Sequence, residues 1–531
     1  MLDRALLLTA LAAFTLPLAA CSFGDDDDAA WGDDDDGTPP SDDDDGYPWG
    51  DDDDATDAPG DGDDDDSKPV SDDDDAAGDD DDSVVDDVED PACTVSVESP
   101  VTLFVSADDS NSQADLPLAR ALLESGALPS TVRPYEVLNY YDFDLDSAPA
   151  GELTVTPQLR PRADDPALFD LLVAVTGPAS SPESRAPLNL VFAIDTSCSM
   201  GGEGMAAARH AMSASAASLD VGDRVSIVRW SSTNTVALDG HAVTGPNDPV
   251  LVAEVDDLDT SGTTNLSAGL LRAYEIAAEN SGGGRLNRVV LISDGGANTG
   301  TTDRNLIGAQ AQLAERDRVY LVGIGTPPHA SYNHELMDTV TDLGKGAYLY
   351  VDDAATAWAQ LTGAALVRNF GLAAEDVRLE MTLPPGFVVD RFYGEEISTN
   401  PADVTPQNLG PNDSMLYLQE IRDCSPDEAS GALALEFTAT WVDVESGLPR
   451  SATVARTLDE LQLDGARQLL KANALVAFAT SFEEVWLLPS AERRAYLDGV
   501  TAQVQDALTA FPSDADLQEV LYLSTIHRDW F

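Results

Sequence analysis

Between Leu188 and Leu366, short runs of consecutive apolar residues alternate with longer amphipathic stretches. The runs at 188–194, 224–230, 287–293, 318–325 and 346–351 read as strands. Met205–Leu219, Asn265–Asn280, Asp303–Asp317 and Asn333–Leu343 are each long enough for a helix. Continuous Val/Ile/Leu strands separated by helices predict a mostly parallel sheet covered on both faces. A shorter run near Thr235–Leu238 suits an antiparallel edge. In such open sheets ligands bind beyond the carboxyl ends of strands, where the strand order switches.

The flanks read mainly as strands. Upstream these are Thr94–Val97, Thr102–Val105, Glu152–Leu159 and Phe169–Val175, with one helix at Ala114–Ser125. Downstream they are Val377–Leu383, Val388–Phe392, Ser414–Ile421 and Ala432–Val442. The tail turns helical, and Val500, Val504, Ala507, Leu508 and Phe511 recur at helical spacing to give one apolar face. That face reads as a docked core helix, with a partner-binding helix as the alternative.

Candidate chemistry gathers at two of the strand ends. Asp195-Thr196-Ser197-Cys198-Ser199-Met200 puts a carboxylate and two hydroxyls at alternate positions where a buried strand opens to solvent. Ser261-Gly262-Thr263-Thr264-Asn265-Leu266 supplies a further hydroxyl, and Ile292-Ser293-Asp294-Gly295-Gly296 a second carboxylate just past another apolar strand. Oxygen donors of this kind suit a small hard cation. A single Asp at a strand end is ordinarily a turn or cap residue. The ordered set of three segments is what points to a metal.

On these residues the chain resembles the von Willebrand factor type A family and its metal-ion-dependent adhesion site. The family motif falls on Asp195, Ser197, Ser199, Thr264 and Asp294. The resemblance implies magnesium, or manganese or calcium, bound by the serine hydroxyls, with the threonine and carboxylates bound directly or through water. Mostly neutral oxygens touch the ion, so it stays electrophilic, and an acidic side chain of a protein partner takes its open position. The family usually carries glycine between the two serines. Here Cys198 stands there, read as a small buried residue that fits, with crowding of the turn as the alternative. The stretches Leu103–Asp142, Tyr393-Gly394-Glu395-Glu396 and Gly410–Tyr417 resemble the flanks of bacterial YfbK-type von Willebrand A proteins. The two flanks are therefore expected to pair into one β-sandwich with the A domain inserted between them.

Composition adds a setting. The chain has 531 residues, 43% of them hydrophobic, and a formal charge of -69. Met1–Ala20 reads as an export signal, and Leu18-Ala19-Ala20-Cys21 matches a bacterial lipobox, which implies lipidation at Cys21. Residues 21–92 read as a disordered tether. Asp tetrads begin at 25, 33, 42, 51, 63, 72 and 79, and between 22 and 92 there are 34 acids against Lys68 alone. So much like charge with so few apolar groups extends a chain and buries no core. The tetrads lack a calcium-loop pattern, which favours a solvated spacer over multivalent calcium binding.

Of the other cysteines, Cys93 and Cys424 are able to pair, which leaves Cys198 as the odd thiol. Three unpaired cysteines is the alternative, since sequence gives no connectivity. The rest of the chain has only Lys345 and Lys471 as lysines and no basic stripe, which argues against nucleic acid. Gly282-Gly283-Gly284 precedes a strand, whereas a phosphate cradle follows one. None of the histidines His210, His241, His329, His334 and His527 has metalloprotease spacing, and His329 with His334-Glu335 reads as a surface loop after Pro327-Pro328. Nothing asks for catalysis.

The expected organisation is a signal peptide at 1–20, the tether at 21–92, a β-rich flank at 93–187 and the A domain at 188–366. A second β-rich flank at 367–455 and a helical region at 456–531 complete it. The fold class is α/β, a doubly wound, mostly parallel Rossmann-like sheet inserted in a β-sandwich. The expected function is that of a lipid-anchored bacterial cell-envelope protein, at the outer membrane, which binds a protein partner through its divalent cation. The alternative is a structural envelope protein with a calcium-binding tether and a vestigial metal site.

Overall fold

The computed structural model describes residue 93 and residues 99–531, apart from 109–111, 298–299, 304–306, 310, 312–313, 315–317, 330–331, 427–429 and 464–465. The expected signal segment, Cys21, the tether, strand Thr94–Val97 and much of helix Asp303–Asp317 lie outside the described residues.

The first flank contains β1 (Val101–Ser106), α1 (Asp115–Ser125), α2 (Pro134–Tyr140), β2 (Thr154–Pro161) and β3 (Leu168–Thr176). The α/β unit opens with β4 (Leu188–Asp195), α3 (Glu203–Ser218), β5 (Arg224–Trp230), β6 (Asn234–Ala242) and α4 (Pro249–Asp256). It continues through α5 (Leu266–Glu279), β7 (Leu286–Ser293), β8 (Val319–Gly325), α6 (His334–Asp342) and β9 (Tyr348–Tyr350) to α7 (Ala354–Leu361) and α8 (Gly363–Phe370). The second flank holds β10 (Ala374–Leu383), β11 (Phe387–Phe392), β12 (Glu396–Ser398), β13 (Gln407–Leu409), β14 (Ser414–Asp423), β15 (Ala434–Asp443) and β16 (Pro449–Thr457). Four helices close the chain: α9 (Leu458–Leu463), α10 (Arg467–Leu487), α11 (Ser490–Ala510) and α12 (Ala515–Asp529).

In the α/β unit the strand order is β6-β5-β4-β7-β8-β9, parallel except that β6 runs antiparallel to β5 at one edge. Every residue of β4 is buried because both faces of the sheet are covered. Leu188, Leu190, Phe192 and Ile194 pack in one core with α3, α4 and α7, while Val191 and Ala193 pack in another with α5 and α6. Each of the larger side chains among them contributes roughly 1.5–3 kcal/mol of burial. The continuous apolar runs of the sequence are the direct consequence of this two-sided cover.

The flanks form two antiparallel sheets, each mixing strands from before and after the α/β unit. One has the order β12-β1-β10-β15-β16, with β13 also on β10; the other is β11-β14-β3-β2. Val105, Val173, Met381, Tyr417 and Phe437 share the core between them. The opposite face of β3 and β14, through Leu172 and Leu418, packs on α1, α2 and α10 to α12. Val500, Val504 and Ala507 are buried in that layer, so the helix they mark is docked. Cys93 and Cys424 form a disulfide that joins the two flanks. The first flank also touches the sheet edge, where Ser112 bridges Tyr348 of β9 and the Gln113 N–H donates to Tyr348 O at 2.8 Å. Among the described residues no helix is long and apolar enough to cross a membrane.

Candidate metal centre

β4 and β7 lie side by side, and their carboxyl ends bring Asp195 next to Ser293 and Asp294. From β4 the chain passes to β5 on one side, whereas β7 enters on the other. The hollow above them is thus the switch in strand order that favours ligand binding.

Asp195 is fully buried. Its Oδ1 accepts the Ser197 N–H at 2.9 Å, and its Oδ2 accepts the Ser293 hydroxyl at 2.8 Å. The first bond is an Asx turn, which bends the chain sharply out of the strand. Ser197 Oγ and Ser199 Oγ then lie 3.0 Å apart. Met200, fully buried in the core beneath, anchors the far side of the turn.

The second segment is laced to this turn through backbone. The Ser261 N–H donates to Thr196 O at 2.7 Å, and the Cys198 N–H donates to Gly262 O at 3.1 Å. Thr264 is buried immediately before Asn265, whose side chain caps α5. On the third segment, buried Asp294 accepts the Gly296 N–H at 3.0 Å. A methyl group placed on Gly296 would lie 3.0 Å from Asp294 Oδ1, 3.7 Å from Thr264 Cγ2 and 3.8 Å from Ser199 Oγ. The structure therefore brings all of Asp195, Ser197, Ser199, Thr264 and Asp294 to one hollow with a glycine wall.

Burial pushes the Asp195 carboxyl up to about 7; its bonds from Ser197 and Ser293 oppose the rise and the charge of Asp294 adds to it. A divalent cation beside this pair removes that penalty, because an opposite charge favours the ionised form. The donors are carboxylate and hydroxyl oxygens throughout, which match magnesium, manganese or calcium. The residues fit the ion that the family resemblance implies.

Three further residues shape the site. Ser293 holds Asp195 Oδ2, and its place before Asp294 was the available signal. Gly296 keeps the hollow open, and the Gly-Gly pair marked it. Asn333 donates its N–H to Asp294 O at 3.2 Å and caps α6 with its side chain. No sequence spacing links it to Asp294.

Two expectations are corrected. Cys198 is half-buried at the start of a short 3-10 turn and is disulfide-bonded, so it is neither a packed core residue nor an odd thiol. His334 is not in a surface loop. It opens α6, is only 19% exposed, and its Nδ1 lies 2.9 Å from the Tyr348 hydroxyl, because α6 packs it against the first flank.

Residues 189–363 match the von Willebrand factor type A domain. Over 304 residues the chain is 28% identical to uncharacterized protein YfbK of Escherichia coli, covering 55% of this chain and 52% of that one. It is 23% identical over 243 residues to uncharacterized protein sll0103 of Synechocystis, covering 45% and 56%. The chain thus spans about half the length of these curated relatives. Among solved structures it is similar to a von Willebrand factor type A protein from Catenulispora acidiphila, with TM-score 0.45 and 14% identity over 70% of this chain and 88% of that one. A second is the ArnB paralog VWA2 from Sulfolobus acidocaldarius, with TM-score 0.38 and 15% identity over 71% and 97%.

Proposed function

Since residues 189–363 match the von Willebrand factor type A domain, we propose that the chain is a cell-envelope protein that captures a protein partner through a divalent cation. Domains of this family commonly serve as protein-interaction modules. The observation that carries the reading is the convergence of Ser199, Thr264 and Asp294 around Gly296, with Asp195 and Ser197 bonded behind them. Asp195 and Asp294 offer negative charge, Ser197 and Ser199 offer neutral oxygens, and the backbone lacing holds the two loops in place. When bound, the ion supplies an electrophilic corner for an acidic group of the partner. Ser199 is the exposed member of the set, so the partner approaches from its side.

The export signal directs the chain to the envelope, and the acidic run that follows it serves as a solvated spacer. The test is affinity capture from envelope extracts with the full chain, with and without chelator. Capture that depends on magnesium and is lost in Asp195→Ala supports the reading, provided circular dichroism shows the variant folded. Capture that survives both treatments removes the metal from the mechanism.

A further inference from the structure

A second cluster lies where the first flank meets α6. Asp115 opens α1, Glu136 sits in α2, and His334 opens α6. His334 Nε2 is 3.2 Å from Asp115 Oδ1 and 4.0 Å from Glu136 Oε1, and one ligand atom from each of the three lies within 4.8 Å of the others. Glu136 is fully buried and Asp115 is 5% exposed. His334 Nε2 is itself buried and has no hydrogen-bond partner.

From these distances we propose that Asp115, Glu136 and His334 hold a divalent first-row transition ion, of which zinc is the fitting example. The rest of the arrangement serves such an ion. The outer oxygen of each carboxylate is held by a backbone N–H: Asp115 Oδ2 accepts from Arg133 at 2.6 Å and Glu136 Oε2 accepts from Asp115 at 2.8 Å. The remote ring nitrogen of His334 is held by the Tyr348 hydroxyl, which in turn lies 2.6 Å from the Tyr332 hydroxyl. Outer contacts of this kind orient the ligands of metal sites. One imidazole and two carboxylates with room for water is a donor set that suits zinc better than magnesium.

Charge points the same way. Glu136 and Asp338 share the guanidinium of Arg133, whose Nη1 is 2.6 Å from both Glu136 Oε1 and Asp338 Oδ1, while Asp115 accepts only the Arg133 backbone N–H. The exposed Glu335 adds to the negative field on His334. A buried group of this net charge is short of cation, and Asp338 can retain Arg133 when an ion takes Glu136 Oε1.

The test uses the full chain freed of metal by chelation and then titrated with cobalt or zinc. The expected result is one tight equivalent, with a cobalt visible spectrum typical of mixed nitrogen and oxygen ligation. His334→Gln should weaken that equivalent by at least about tenfold, whereas Asp195→Ala should leave it in place. If His334→Gln does not fold, the wild-type cobalt spectrum decides alone: oxygen-only ligation or no tight equivalent overturns the proposal. Loss in Asp195→Ala with retention in His334→Gln overturns it too.

Discussion

The two proposed cation sites of this molecule are built on opposite plans. The hollow above β4 and β7 is a set of oxygens on loops at the open end of a sheet, with Ser199 exposed and a glycine leaving space. The cluster at α6 is a buried seam between two parts of the chain, with an imidazole among its donors. An ion that must keep a free corner for a partner belongs in the first. An ion that joins elements belongs in the second, where burial raises the energetic stake of leaving charge unpaired. The two also adjoin: Asn333, next to His334, donates to the backbone of Asp294.

The sharpest way to break this contrast is Asp195→Ala. It removes the buried carboxylate at the centre of the first set and should lower magnesium affinity by about a hundredfold or more, roughly 3 kcal/mol. Calorimetric titration of the same variant with zinc should show the α6 equivalent intact. Loss of both ions together would mean that the sites are one. Next in size is Arg133→Gln, which takes the guanidinium from Glu136 and Asp338. The metal-free chain should lose about 2–3 kcal/mol of stability, the cost of stranding buried Glu136 and half-buried Asp338. Zinc should restore most of it, as read by chemical denaturation with and without the ion. A variant as stable as the parent without zinc would show that the cluster is not short of positive charge.

The same contrast explains what could be read from the sequence. Asp195, Ser197 and Ser199 fall within one turn, and each further ligand follows a strand or precedes a helix whose pattern is plain. Continuous burial made β4, β5, β7 and β8 legible, and the weaker run near Thr235 appears as edge strand β6. Arg133 and Asp338, by contrast, are 205 positions apart and meet only because α2 docks on α6. No local pattern encodes that docking. β16 is an edge strand whose residues are mostly exposed, so it carries no apolar run. β12 and β13 are three residues each, too short for any period to show. The helices α2 and α4 are too short for a clear period, and their signal is instead the proline in the first turn of each and the Asp248 cap of α4.

Gly296→Ala probes the shape of the hollow without touching a ligand. The added methyl lies 3.0 Å from Asp294 Oδ1, closer than an unstrained contact, with Thr264 and Ser199 blocking retreat. Crowding of this order costs about 2 kcal/mol, and here it should appear as weaker magnesium binding with the zinc equivalent unchanged. Unaltered magnesium affinity would show that Gly296 does not border the ion.

The smallest effect expected is on pH. The ion takes ionised Asp195, while the folded chain without metal holds a proton there up to about pH 7. Below that value binding must first displace the proton, so magnesium affinity should fall by about tenfold between pH 8 and pH 6. Stability without metal has the opposite sign. A carboxyl whose folded value lies above its ordinary 3.8 contributes stability that is complete below 3.8 and is lost as pH rises through about 7. Magnesium therefore stabilises the fold most where the empty carboxylate destabilises it most, and the two slopes should cross. In Asp195→Asn both slopes should flatten, because no proton is exchanged. Calorimetry and thermal melts at pH 6, 7 and 8 read both quantities, and a magnesium affinity that is level across that range would mean that Asp195 lies outside the coordination sphere.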